Sequence, residues 1–309
     1  MAYVSFRSLL RIAICGGTHG NELSGVYLVR EMQKQKVNKV GSISVTTMIS
    51  NPRAVDVCRR YTEKDLNRCF TKALLSSPVT DSTPHELIRA QELNTQLGPK
   101  GSQEAFDVLC DLHNTTANMG LCFIFDSCDW LTVHIYKYVK NKITSVPVRA
   151  IQINTMIRDS VSLWSVGKHG FTIEVGPQPH GVLRADIFTV MKKAVDLMLE
   201  WIQKFNSGCT FEGGEVEVYT KVKNVDYPRD PATQEITAAV HPQLQDNDFG
   251  LLQPGDPIFL SFLGETMKYE GETLHPFFVN EGAYYEKKTA FQLARKTVLT
   301  VPPISVKID

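Results

Sequence analysis

The chain has 309 residues, enough for one large or two modest domains with a sizeable core. Hydrophobic residues make up 43% and charged residues 21%, which excludes disordered and collagen-like chains. Thirty-three Lys plus Arg balance thirty-three Asp plus Glu, so no net field recruits nucleic acid or an anionic membrane, and charge recognition must be local.

In chain order, the first apolar stretch is broken by Arg7 and Arg11 and reads as a strand over 9–15, not as a signal peptide. Further apolar runs over 42–49, 105–112 and 171–175 end in small or polar turns and read as strands. Between them, apolar residues at helical spacing predict helices over 22–35, 84–97, 131–142 and 187–205. Strands alternating with helices predict an α/β domain whose sheet is mixed but mostly parallel, with ligands at the carboxyl ends of strands. After Phe205 the chain turns Gly- and Pro-rich, and short strands over 214–222, 236–240, 257–262 and 296–301 predict a β-rich second domain. The expected domains are 1–207 and 208–309. No apolar run reaches the roughly 18 residues that span a bilayer. Seven cysteines, Cys15, Cys58, Cys69, Cys110, Cys122, Cys128 and Cys209, form an odd set with no CxxC pair and read as reduced thiols of a cytoplasmic protein.

The densest chemical signal is Gly16-Gly17-Thr18-His19-Gly20-Asn21-Glu22, placed between a strand and a helix. A His and a Glu three residues on can aim at one ion, and His113, closing the strand that carries Asp111-Leu112-His113, is a candidate third ligand. Asp111, one strand repeat away, can face the same side and orient His113. By spacing alone, metal binding and chance are about evenly matched. Glu174 ends an apolar strand before Gly176-Pro177; it is either a general base with a raised pKa or an edge-strand carboxylate facing water. Arg59, Arg60, Asp65, Asn67 and Arg68 cluster in one segment, which suits either an anion grip with an oxyanion donor or a solvated loop. Residues 281–288 carry Tyr284 and two lysines, as substrate contacts or as a surface helix. His85, His134, His169, His180, His241 and His275 lack ligand spacing and read as structural or exposed.

Taken together, GGTHGNE, NPRAV, DLNR, LGPK, FDVLCDLHNTTANMG, IEVGPQPHGVLRADI, VDYPRD, HPQLQD and YYEKK, in this order, resemble the aspartoacylase family of zinc amidohydrolases. The resemblance implies a carboxypeptidase-like three-layer α/β/α domain and a β-rich C-terminal domain that narrows the entrance. It implies one Zn²⁺ per subunit on His19, Glu22 and His113, and Glu174 as the base that serves the attacking water and the leaving nitrogen. Arg60 would polarise the scissile carbonyl, and Asn67, Arg68 and Tyr284 would hold the α-carboxylate. Aspartoacylases carry an arginine ten residues before the catalytic glutamate, where this chain has Trp164. A neutral indole cannot pair with an aspartate side chain, but it can pack against an aromatic or thioether group.

That departure resembles the type III aminoacylase branch, which deacetylates N-acyl aromatic amino acids and mercapturic acids (N-acetylcysteine S-conjugates). The branch implies a small-molecule N-acyl amino acid substrate, no nucleic-acid partner, a homo-oligomer, and a cytoplasmic location with peripheral contact at apical membranes and no transmembrane segment. Two alternatives stand beside it: an aspartoacylase hydrolysing N-acetylaspartate, and a non-catalytic metal-containing binding protein.

Overall fold

The computed structural model describes residues 3–126, 129–153 and 159–307. The strands are β1 (Val4–Phe6), β2 (Arg11–Gly16), β3 (Lys39–Val40), β4 (Ile43–Ile49), β5 (Val108–Asn114), β6 (Gly120–Asp126), β7 (Val148–Ile153), β8 (His169–Gly176), β9 (Gly214–Val225), β10 (Ala238–Val240), β11 (Pro257–Ser261), β12 (Thr266–Lys268), β13 (His275–Phe277), β14 (Phe291–Val301) and β15 (Ile304–Val306). The helices are α1 (Leu23–Lys34), α2 (Pro52–Asp56), α3 (Lys72–Leu75), α4 (His85–Leu97), α5 (Trp130–Lys142) and α6 (Ala185–Asn206).

Ten strands form one mixed sheet in the order β13-β14-β9-β7-β6-β8-β5-β2-β4-β3. Its centre is built from parallel neighbours, β8 beside β5, β5 beside β2, and β2 beside β4. β6 enters antiparallel to β8. Because β2 is covered on both sides, its side chains serve two cores. Ile12 and Ile14 pack with α1, α5 and α6, while Ala13 and Cys15 pack on the opposite face with α4, Leu66, Phe70 and Trp164. These are the three layers that the family resemblance implies. On α6, Ile187, Met191, Ala194, Met198, Trp201 and Phe205 recur at helical spacing and are buried. Trp201 stacks on Phe205 with ring centroids 5.3 Å apart; truncating such a side chain costs about 3–5 kcal/mol.

The β-rich region is joined to this sheet and does not stand apart from it. β9 pairs in parallel with β7 through Ile151 and Tyr219, and β14 runs antiparallel to β9 along its length. β10, β11 and β12 form a separate small sheet over a core that includes Tyr227, Leu252, Phe259 and Phe291. Cys15, Cys58, Cys69, Cys110, Cys122 and Cys209 are free thiols, and Cys128 lies outside the described residues. Among the described residues no helix is long and apolar enough to cross a membrane.

Candidate active site and metal centre

Three adjacent parallel strands bring the candidate residues together. β2 runs into the glycine-rich turn bearing His19, β5 carries His113, and β8 carries Glu174 in register with His113. Strands in register and parallel put their carboxyl ends on one rim. The turn depends on its glycines: Gly17 has φ +69°, and a Cβ on Gly20 would lie 2.1 Å from the Ala54 backbone. Glu22 occupies the N-cap position of α1 but makes no side-chain cap. Its carboxylate points instead to the histidines.

His19 Nδ1 lies 2.7 Å from Glu22 Oε1, His113 Nδ1 lies 2.8 Å from Glu22 Oε2, and the two Nδ1 atoms are 3.1 Å apart. All three residues are buried, and their ligand atoms fall within 4.8 Å of one another. Each imidazole also meets a second carboxylate: His19 Nε2 lies 3.1 Å from Asp65 Oδ1, and His113 Nε2 lies 2.8 Å from Asp111 Oδ2. Ionised carboxylates only accept, so both Nε2 atoms bear hydrogens and the Nδ1 atoms are the ones able to hold a cation in place of a proton. Thr18 Oγ1 donates to Asp111 Oδ1 at 2.7 Å and fixes that carboxylate in turn. Two nitrogens and a carboxylate, each backed by an orienting group, fit a divalent transition-metal ion.

The electrostatics agree. Burial alone would raise Glu22, but His19 and His113 outweigh it and hold this carboxylate well below its usual range. Burial alone would lower His113, but Asp111 and Glu22 hold its proton well above the usual imidazole range. A divalent cation on the same atoms competes with that proton. Glu174 behaves oppositely. Burial, reinforced by the Glu22 carboxylate, raises it well above the usual carboxylate range, and its Oε1 is buried with no hydrogen-bond partner. A buried, unpartnered carboxyl beside a cation site is equipped to take up a proton.

Arg60 donates to Glu22 Oε1 at 3.2 Å and to Asp65 Oδ2 at 3.3 Å, while its Nε is buried without a partner. Asp65 Oδ2 also accepts from Lys287 Nζ at 2.9 Å. Burial would raise Asp65, but His19, Arg60 and Lys287 hold it far below the usual range. Asn67 is buried, with Nδ2 3.2 Å from His113 Nε2 and Oδ1 accepting from Leu163 N at 3.0 Å. Arg68 is exposed.

His19, Glu22, His113, Glu174, Arg60, Asn67, Arg68, Tyr284 and Trp164 all line one cavity of about 200 Å³, a size suited to a single small molecule. Ile124, Ile151, Ile153, Phe277 and Phe278 supply apolar lining, beside Thr172, Lys221 and Gln292. Trp164 lines the cavity but is 1% exposed and packs into the core beside Phe70. Tyr284 stands edge-on to Phe278 with centroids 5.2 Å apart, on a short 3-10 turn that Glu281 ties down.

Glu281 accepts from Thr115 Oγ1, from Thr116 N at 2.7 Å and from Ala283 N at 2.9 Å, and lies 3.2 Å from His180 Nε2. Residues 281–288 are thus not a free surface helix. Sequence reasoning missed Glu281, His180, Asp65 as the partner of His19, and the apolar lining residues. The EGAYYEKK run held the signal for the first, and the apolar stretch GLCFIFD held it for Ile124.

A family model described as succinylglutamate desuccinylase/aspartoacylase catalytic domain matches residues 8–202, and one described as AstE/AspA barrel-sandwich hybrid domain matches residues 214–296. The chain is 61% identical to N-acyl-aromatic-L-amino acid amidohydrolase (carboxylate-forming) A of Danio rerio, over 99% of this chain and 95% of that protein. It is 43% identical to the aspartoacylase of Rattus norvegicus, over 98% of this chain and 97% of that protein. It superposes on the crystal structure of murine aminoacylase 3 with a TM-score of 0.93 and 43% identity, covering 97% of this chain and 99% of that one.

Proposed function

Since the chain belongs to the succinylglutamate desuccinylase/aspartoacylase family, we propose that it is a zinc-dependent amidohydrolase releasing carboxylate from N-acyl aromatic L-amino acids and mercapturic acids. His19, Glu22 and His113 would hold one Zn²⁺ per chain, which when bound supplies a Lewis acid that polarises the amide and acidifies water. Glu174 accepts the proton of the attacking water at its unpartnered Oε1 and returns it to the leaving nitrogen. Arg60, held by Glu22 and Asp65, donates to the carbonyl oxygen as negative charge develops on it. Arg68 and Asn67, with the Tyr284 hydroxyl, hold the α-carboxylate.

The substrate side chain lies against the apolar lining of the cavity, among Ile124, Ile151, Phe277 and Trp164. An aromatic or thioether group gains roughly 1–3 kcal/mol from apolar contact there, whereas an aspartate carboxylate would lose its hydration and have as its cation Lys221, which also lines the cavity and whose ammonium burial already pushes down. The cavity is walled by both parts of the chain, consistent with a catalytic domain over 1–207 and a β-rich domain over 208–309 that narrows the entrance to single acylated amino acids. The single observation behind this reading is the convergence of both Nδ1 atoms and Glu22 beside a buried, unpartnered Glu174.

Turnover of N-acetyltyrosine, an S-substituted N-acetylcysteine and N-acetylaspartate tests it. Preference for the first two is expected. Preference for N-acetylaspartate would favour the aspartoacylase reading, and inactivity on all three would favour a binding protein.

A further inference from the structure

The Leu97-Gly98-Pro99-Lys100 segment, which the reading above leaves without a role, ends in a cation that joins two walls of the cavity. Lys100 Nζ donates to Ser160 O at 2.6 Å, Ser165 Oγ at 2.8 Å and Phe70 O at 2.9 Å. Ser165 Oγ passes the contact on, donating to Ser162 O at 2.6 Å. The two loops also bond to each other directly, Leu163 N to Asn67 Oδ1 at 3.0 Å and Phe70 N to Val161 O at 3.2 Å. One loop presents Asn67 and Arg68 to the cavity, and the other presents Ser162 and Trp164. Burial pushes Lys100 down to about 8, the mark of an ammonium placed where water would solvate it better.

We propose that Lys100 is a positioning residue for substrate selection, fastening the loop that carries Ser162 and Trp164 to the loop that carries Asn67 and Arg68. It touches neither substrate nor the candidate metal site. Its three bonds fix the distance between the grip on the α-carboxylate and the wall that meets the side chain. A large side chain needs both contacts at once, whereas a small one reaches only the first. The part of this inference that concerns selectivity rests on the function proposed above; the part that concerns the clamp does not.

The test compares wild type with Lys100→Met, Lys100→Arg and Ser165→Ala, all metal-loaded, in two measurements. The first is hydrogen exchange in peptides covering 66–75 and 159–168. Lys100→Met is expected to exchange faster in both, and unchanged exchange overturns the clamp whatever the substrate. The second is the ratio of kcat/KM for N-acetylphenylalanine over N-acetylalanine. It is expected to fall about tenfold in Lys100→Met, mainly through KM, because a displaced wall misplaces only the larger substrate. Lys100→Arg is expected to recover part of the ratio. Equal losses on both substrates overturn the assignment to selection. Should Lys100→Met not fold, Ser165→Ala, which removes one bond of three, is expected to shift the ratio in the same direction by a smaller factor; no shift overturns it. Wild-type inactivity on both substrates refutes the proposed function and with it the selection role, and exchange then decides the clamp alone.

Discussion

Replacing Glu281 with Ala would uncouple the turn bearing Tyr284 from the segment that follows His113. Glu281 is 3% exposed, and its loss removes the acceptor for the Thr115 hydroxyl and the amides of Thr116 and Ala283, each left unpaired at about 1–3 kcal/mol if water cannot reach it. The electrostatics of the same contacts point the same way. Burial would raise it, but the nearby His180 and the Thr115 hydroxyl hold it down to about 2 from 4.5, which corresponds to about 3 kcal/mol. The folded value is the lower one, so this stability is fully present above pH 4.5 and is lost as pH falls toward 2. Thermal melting at pH 7 should therefore show the variant about 5–10 °C less stable. Hydrolysis of N-acetyltyrosine should show a raised KM with metal content unchanged. Glu281→Gln, which keeps one acceptor oxygen, should fall between. A melting shift below about 2 °C with KM unchanged would refute the claim that this carboxylate fastens the turn.

Other predictions concern the metal site, the two arginines and a buried acid. Asp111→Asn should weaken metal affinity about 10–100-fold, because an amide no longer forces the proton of His113 onto Nε2; competition with a chromophoric chelator measures it. In the proposed roles Arg60 meets charge that grows during reaction and Arg68 charge already present, so Arg60→Ala should mainly lower kcat and Arg68→Ala mainly raise KM; steady-state kinetics showing the reverse would exchange their roles. Burial raises Asp248 from 3.8 to about 7. The folded value is the higher one, so its contribution to stability is complete below about pH 4 and is lost as pH climbs through 7, by up to about 4 kcal/mol. Melting curves should show wild type losing ground to Asp248→Asn over that interval and holding a constant difference above it.

The sequence carried the parts of the site that depend on local pattern. His19 and Glu22 share one turn, and Asp111 and His113 are one strand repeat apart, so their common orientation follows from backbone geometry. Glu174 was legible as a carboxylate at an apolar strand end. The order β8-β5-β2, which sets these three strands side by side, was not legible, because strand order is decided by long-range pairing. For the same reason Asp65, placed by sequence in an anion grip, turned out to orient His19, a residue 46 positions away. Glu281 meets Thr115 across 166 positions, a distance no local motif spans. β6, whose apolar run starts within the HNTTANMG motif that also closes β5, was not marked off as a strand of its own. Trp164 stood out as a departure from the aspartoacylases, yet it is almost completely buried beside Phe70, and Ile124, Ile151 and Phe277 line the same cavity.

The most direct test is titration of metal-stripped protein with Zn²⁺ while following hydrolysis of N-acetyltyrosine. Activity should be absent at the start and rise linearly to a plateau at one ion per chain, and a folded His113→Ala variant should lose both the stoichiometric binding and the activity. Full hydrolysis by metal-free protein, or unchanged zinc binding by His113→Ala, would contradict the account.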